Sequence, residues 1–117
     1  MHEFALMTDI MRIALDECAR HGAHRLKKIR VRYGTLNMIV PDAMRMAFEA
    51  FTSGTENEGA ELELVEEPLH MNCRACGKAT ETNSREALFH PCPHCGKIAG
   101  FECDGGDGIF LDHLEAE

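Results

Sequence analysis

The sequence contains no tryptophan and one tyrosine, with six phenylalanines against seven methionines. A core must therefore come mainly from aliphatic and thioether side chains, and 44% apolar residues over 117 positions are enough to build one. Apolar runs are only a few residues long, far short of the roughly 20 that a membrane span requires. No basic residue precedes Arg12, and Glu3 and Asp9 lie where a secretory leader would carry positive charge. The expectation is a soluble, cytoplasmic chain of one domain, or one small domain with an appended module.

Basic charge is scarce as well. Twelve Lys and Arg against twenty Asp and Glu give a net charge of −8, the opposite of a nucleic-acid footprint. Seven of the basic residues fall in residues 1–40 against four acids, so residues 41–117 carry the whole excess of negative charge. Phosphate-binding glycine loops, a nucleophile elbow and an acid–base dyad at readable spacing are all missing. Neither nucleic-acid binding nor catalysis is expected.

What the chain does have is cysteine in a pattern. Cys73-Arg-Ala-Cys76 and Cys92-Pro-His-Cys95 are separated by fifteen residues, the two-pair spacing of a tetrahedral thiolate site. Each pair supplies two sulfurs from one tight turn, and the following Gly77 and Gly96 let backbone amides approach them. Four thiolates leave no open coordination position, so the site is structural. Zinc is the expected ion. Iron in a rubredoxin-type centre is the competitor, disfavoured because only Phe89 and Phe101 are near the cysteines in sequence. Cys18 reads as a core thiol, and Cys103 as a spare one. His90 and His94 flank the second pair.

Local patterning supplies an α+β body. Phe4, Met7, Met11, Ala14 and Cys18 recur at helical spacing, with Ile10 and Leu15 widening the stripe, and Gly22 ends a helix over 4–21. Ile29, Val31 and Tyr33 alternate with Lys28, Arg30 and Arg32 in a half-buried strand over 26–33. The basic side of that strand is either a solvated face or a dock for an acidic partner. Pro41 and Asp42 open a second helix whose stripe is Met44, Ala47, Phe48 and Phe51. Leu62 and Leu64 mark a second strand, and residues 109–114 a third that follows a glycine-rich turn. Two helices on a small three-stranded sheet are thus expected from residues 1–70 plus 107–117, with a zinc-ribbon or knuckle domain inserted at 71–106.

The N-terminus offers a second metal chemistry. The Met1 amine, the His2 amide nitrogen and the His2 imidazole can close fused chelate rings on one ion, and the Glu3 amide is a possible fourth nitrogen. A planar nitrogen set suits Ni(II) or Cu(II) better than Zn(II). On residue chemistry alone, the simpler reading is an exposed and idle histidine.

Taken in order, Met1-His2-Glu3, Gly34-Thr35-Leu36-Asn37, Pro41-Asp42, Gly59-Ala60, the two cysteine pairs and the glycine-rich turn into the last strand resemble the HypA/HybF family of nickel metallochaperones in nickel–iron hydrogenase maturation. The resemblance runs essentially end to end. It implies transient Ni(II) binding by Met1, His2 and Glu3, and structural Zn(II) on Cys73, Cys76, Cys92 and Cys95. It implies two partners: a nickel-handling GTPase of the HypB type, and the hydrogenase large subunit that receives the ion. It implies no enzymatic turnover. The chain departs from the family pattern at Thr35, where a glutamate is usual, and at Val40, where some relatives carry an acid. The reading from another class is a zinc-ribbon adaptor for protein assembly that handles no nickel.

Overall fold

The computed structural model describes residues 2–117. Its elements are α1 (Glu3–Arg20), β1 (Leu26–Gly34), α2 (Pro41–Thr52), β2 (Glu61–Glu67), β3 (Leu69–Cys73), β4 (Ala79–Thr82), β5 (Phe101–Gly105) and β6 (Ile109–Ala116), with short 3-10 turns at Thr35–Asn37 and Arg85–Phe89. The strands form two three-stranded sheets, ordered β2-β1-β6 and β4-β3-β5. The α+β architecture is the expected one, and the cysteine module carries a sheet of its own. The chain divides into two compact units: one takes residues up to Arg32, Ile39–Val65 and Ile109–Glu117, the other Tyr33–Met38 and Glu66–Gly108.

In the first unit, α1 buries Met7, Ile10, Met11, Ala14 and Cys18, and α2 buries Met44, Ala47 and Phe48. In β1, Leu26, Ile29 and Val31 are almost fully covered. Phe4 departs from the helical stripe: it is 59% exposed and lies against Phe51 of α2 with ring centroids 5.1 Å apart. Helical periodicity reports the side of a helix on which a residue lies, not whether another element covers that side. Leu15 is likewise 40% exposed. At the start of β1, the buried Asn57 side chain accepts the Leu26 N–H at 2.8 Å, which satisfies a backbone donor that the sheet leaves over.

The sheet order also decides what the basic stripe does. With β1 central, Glu63 of β2 and Asp112 of β6 flank it. Lys28 lies 3.4 Å from Glu63, Arg30 pairs with both acids, and Arg32 reaches Asp112 at 2.7 Å. The Asp112 hydrogen bond raises the Arg30 guanidinium pKa further. Each cation of the stripe thus has an acid beside it within its own sheet.

In the second unit, β3 pairs antiparallel with β4, Met71 opposite Thr80, and with β5, Met71 opposite Cys103. Residues 33–38 are anchored by backbone bonds from Gly34 N–H to the Gly108 carbonyl (3.0 Å) and from Leu36 N–H to the Gly106 carbonyl (2.7 Å). The Thr35 hydroxyl donates to the Glu67 carbonyl at 3.0 Å. Gly34 has an ordinary φ of −83°, so its need for glycine is a matter of space: a Cβ there would overlap the Gly106 carbonyl and the Asp107 nitrogen. Both contacts are backbone and cannot swing aside. Gly34→Ala is expected to destabilise the protein by about 1–3 kcal/mol or more, read as a lowered urea midpoint.

Candidate metal centres

The two cysteine turns are built alike. Gly77 N–H donates to the Cys73 carbonyl and Gly96 N–H to the Cys92 carbonyl, each at 2.8 Å, while Cys73 N–H reaches the Lys78 carbonyl and Cys92 N–H the Lys97 carbonyl, each at 3.1 Å. Gly77 and Gly96 have φ of 74° and 75°, a left-handed conformation that side-chain-bearing residues resist. The glycine amides themselves bond carbonyls, so the amides that approach sulfur are others. Ala75 and Cys76 N–H point at Cys73 Sγ (3.3 and 3.5 Å), and His94 N–H at Cys92 Sγ (3.4 Å).

Across the turns, Cys73 Sγ lies 3.7 Å from Cys95 Sγ, and Cys76 Sγ lies 3.7 Å from Cys92 Sγ. All four sulfurs fall within 4.8 Å of one another. A disulfide would need about 2.05 Å, whereas thiolates at tetrahedral corners, about 2.3 Å from a central ion, stand about 3.8 Å apart. The sulfurs are thus spaced for a shared ion and not for each other. This donor set fits zinc. The amides of Cys76 and Ala75 pull the Cys73 thiol down to about 6. Cys92 is also lowered: burial opposes its ionisation, but the Cys95 and His94 amides prevail. At Cys76 the Lys78 amide favours the thiolate, yet desolvation and the neighbouring sulfurs outweigh it and raise the thiol to about 11.

The other candidates are apart from this cluster. Among the described residues the four cysteines are the only group of three or more His, Cys, Asp or Glu spaced to hold a metal, so His90, His94 and Cys103 are not in it. Cys103 is exposed on β5, and Cys18 is buried in the helical core, where desolvation raises its thiol pKa. Asp42 stands in the first turn of α2, 3.8 Å from Arg45.

Of the N-terminal trio, Met1 lies outside the described residues. His2 is exposed and precedes α1; its carbonyl accepts the first helical hydrogen bond, from Leu6 N–H at 3.0 Å. Among the described residues no side chain caps this end. Glu3 opens the helix, and its carboxylate accepts the Val40 N–H at 3.2 Å, which together with its own amide holds its pKa below the ordinary carboxylate value. Beside them Phe4, Ala5, Thr8, Ala43, Met46, Ala47 and Ala50 line an open apolar groove of about 910 Å³. The Glu3–Val40 contact and the groove escaped sequence reasoning. The only signal was an apolar residue, Val40, standing at a helix start that lacks a side-chain cap.

The chain resembles proteins of one kind in every comparison. The family model described as hydrogenase/urease nickel incorporation, metallochaperone, hypA, matches residues 1–116. Curated relatives named hydrogenase maturation factor HypA are 37% identical in Lawsonia intracellularis and 35% identical in Solidesulfovibrio magneticus, each aligned over the whole of both chains. A solution structure of the Ni metallochaperone HypA from Helicobacter pylori superposes with a TM-score of 0.61 at 20% identity, covering 99% of this chain and 97% of that one. A second HypA solution structure gives 0.64 at 20% identity, over 100% and 97%. With its paired cysteine turns and its full-length match to the family model, the chain belongs to the HypA family of nickel metallochaperones.

Proposed function

We propose that this protein captures Ni(II) at its N-terminus and hands it on during hydrogenase maturation, with Zn(II) held permanently by Cys73, Cys76, Cys92 and Cys95. The nickel donors are the Met1 amine, the His2 imidazole and the backbone nitrogens of His2 and Glu3. The observation that carries this reading is the place of His2 and Glu3 at the uncapped start of α1. The first amides of a helix have no intrahelical acceptor, and here the ladder begins at Leu6. Backbone nitrogens there can lose a proton and bind an ion without breaking a helical hydrogen bond. An exposed terminus also lets ligands exchange quickly, as a carrier requires.

The ion's recipient is the large subunit of a nickel–iron hydrogenase, and a nickel-handling GTPase of the HypB type works beside the carrier. The curated relatives are named for hydrogenase maturation, which favours that recipient over urease. Transfer of an ion involves no turnover, so the protein is not an enzyme. Metal-holding thiolates need a reducing compartment, and no described helix is long and apolar enough to cross a membrane; the cytoplasm meets both conditions.

Three outcomes test this reading. Isothermal calorimetry should find one Ni(II) site that is lost in His2→Ala. Acetylating the N-terminus, or inserting one residue before His2, should abolish it although every side chain remains. Retention of full affinity by the acetylated protein would refute the assignment.

The zinc site should be needed for folding of its module. Beyond its cysteines, the described second-unit residues bury few large apolar side chains, chiefly Tyr33, Leu69 and Met71, and zinc binding contributes on the order of 10 kcal/mol or more in small zinc peptides. Cys76→Ala or Cys92→Ala should release zinc and open residues 71–106 to hydrogen exchange while α1 stays protected.

Zinc uptake by the metal-free protein at pH 7 should release protons. The Cys76 thiol, raised to about 11, is protonated there and must ionise to bind, whereas Cys73, lowered to about 6, has largely done so. Affinity should therefore fall as pH falls through neutrality and below. Calorimetry in buffers of different ionisation enthalpy measures the released protons, and an uptake that releases none would contradict this.

A further inference from the structure

The Glu3 side chain is already engaged. Its carboxylate oxygen Oε2 accepts the Val40 N–H at 3.2 Å, across 37 positions of sequence. Val40 immediately precedes α2 and has no side-chain oxygen with which to cap that helix. Its carbonyl accepts Met44 N–H at 3.1 Å, and Pro41, which follows, has no N–H to offer. Val40 is therefore held at both ends, by its own helix through the carbonyl and by α1 through the amide. A carboxylate between two helix starts also suits the positive ends of both dipoles. On the other side of the same turn, the Phe4 ring rests on Phe51. The first turn of α1 is thus gripped twice, once by a polar contact and once by an apolar one.

We propose that Glu3 is a positioning residue: its carboxylate ties the first turn of α1 to the start of α2, so that the backbone nitrogens of His2 and Glu3 are presented to nickel in a set geometry, and it does not itself ligate the ion. This rests on the N-terminal nickel site proposed above. Oε2 is taken up by the Val40 amide, and a carboxylate held there leaves the adjacent backbone nitrogens free and steadied. Loss of the tie leaves the Phe4–Phe51 contact in place, so the fold should survive it.

The test separates the carboxylate's two roles by deleting the donor instead of the acceptor. Val40→Pro removes the N–H while leaving every carboxylate, and the φ of −92° at Val40 asks a shift of about 10–30° for proline, in a residue outside the helix. Glu3→Ala removes the acceptor, and Glu3→Gln keeps an oxygen that can still accept from Val40. Titrating Ni(II) into the zinc-loaded full chain, the tie predicts that Val40→Pro and Glu3→Ala each weaken binding about two- to tenfold. The double variant should be no weaker than either single one, Glu3→Gln should stay near wild type, and the nickel ligand-field bands should stay at the wild-type energies in all four. Shifted bands in Glu3→Gln, or unchanged affinity in Val40→Pro with a large loss in Glu3→Ala, would show that the carboxylate is a ligand and overturn the proposal. A readout without nickel distinguishes this failure from failure of the site itself. In nickel-free protein, Val40→Pro and Glu3→Ala should both accelerate exchange of the Leu6 amide, the first in the helical ladder, by similar factors. Protection unchanged in both would overturn the tie whether or not nickel binds at the terminus.

Discussion

Four sulfurs, paired 3.7 Å apart across two turns of the same build, are the constraint on which the second unit depends. Its fully buried large side chains are Leu69 and Met71, and a module of that size cannot offset its chain entropy with so little apolar area. The protein instead spends backbone geometry on the cluster. Left-handed glycines, reciprocal carbonyl bonds and amides aimed at sulfur bring the cysteines to tetrahedral spacing. Collecting thiolates is electrostatically unfavourable without a cation, as the split between Cys73 near 6 and Cys76 near 11 records. A divalent ion reverses that balance, and the repulsion between sulfurs becomes shared attraction to one centre.

The first unit is stabilised in the ordinary way, by two helices whose apolar faces are buried together with the apolar side of β1. Its polar features follow from that arrangement. The basic side of β1 finds Glu63 and Asp112 because the sheet order puts one acid-bearing strand on each flank. Exposed pairs of this kind contribute little each, but they remove a row of like charges that would oppose one another on a single strand. The crossing of α1 and α2 brings the N-terminal turn against both ends of α2, Glu3 at Val40 and Phe4 at Phe51. One end of one helix is therefore both the place where an ion could be held and the edge of an apolar groove.

The zinc and nickel chemistries need opposite conditions. A closed thiolate cage exchanges its ion slowly and gains from being fully satisfied, so it is suited to holding a module together. A chelate on a chain terminus with an exposed histidine is suited to giving its ion away. The proposed division of labour rests on the geometry each place can adopt: two convergent turns in one case, and a helix start at the chain terminus in the other.

Local chemistry was legible in the sequence wherever the determinant is itself local. The cysteine spacing, the helical stripe through Met7, Met11, Ala14 and Cys18, the alternation in β1 and the Pro41 helix start depend on residues within a turn or two of one another, and each stands where patterning placed it. Tertiary structure alone decided the contacts between distant segments. Gly34 looks like any turn glycine until the backbone of Gly106 is found where its Cβ would be. Phe4 continues a buried stripe yet stays 59% exposed with Phe51 of α2 against its ring, and the Glu3 carboxylate meets the Val40 amide across 37 positions of sequence. Periodicity and spacing encode which way a residue faces along its own element. What lies opposite depends on how the elements cross, and that is settled only when apolar burial packs them together.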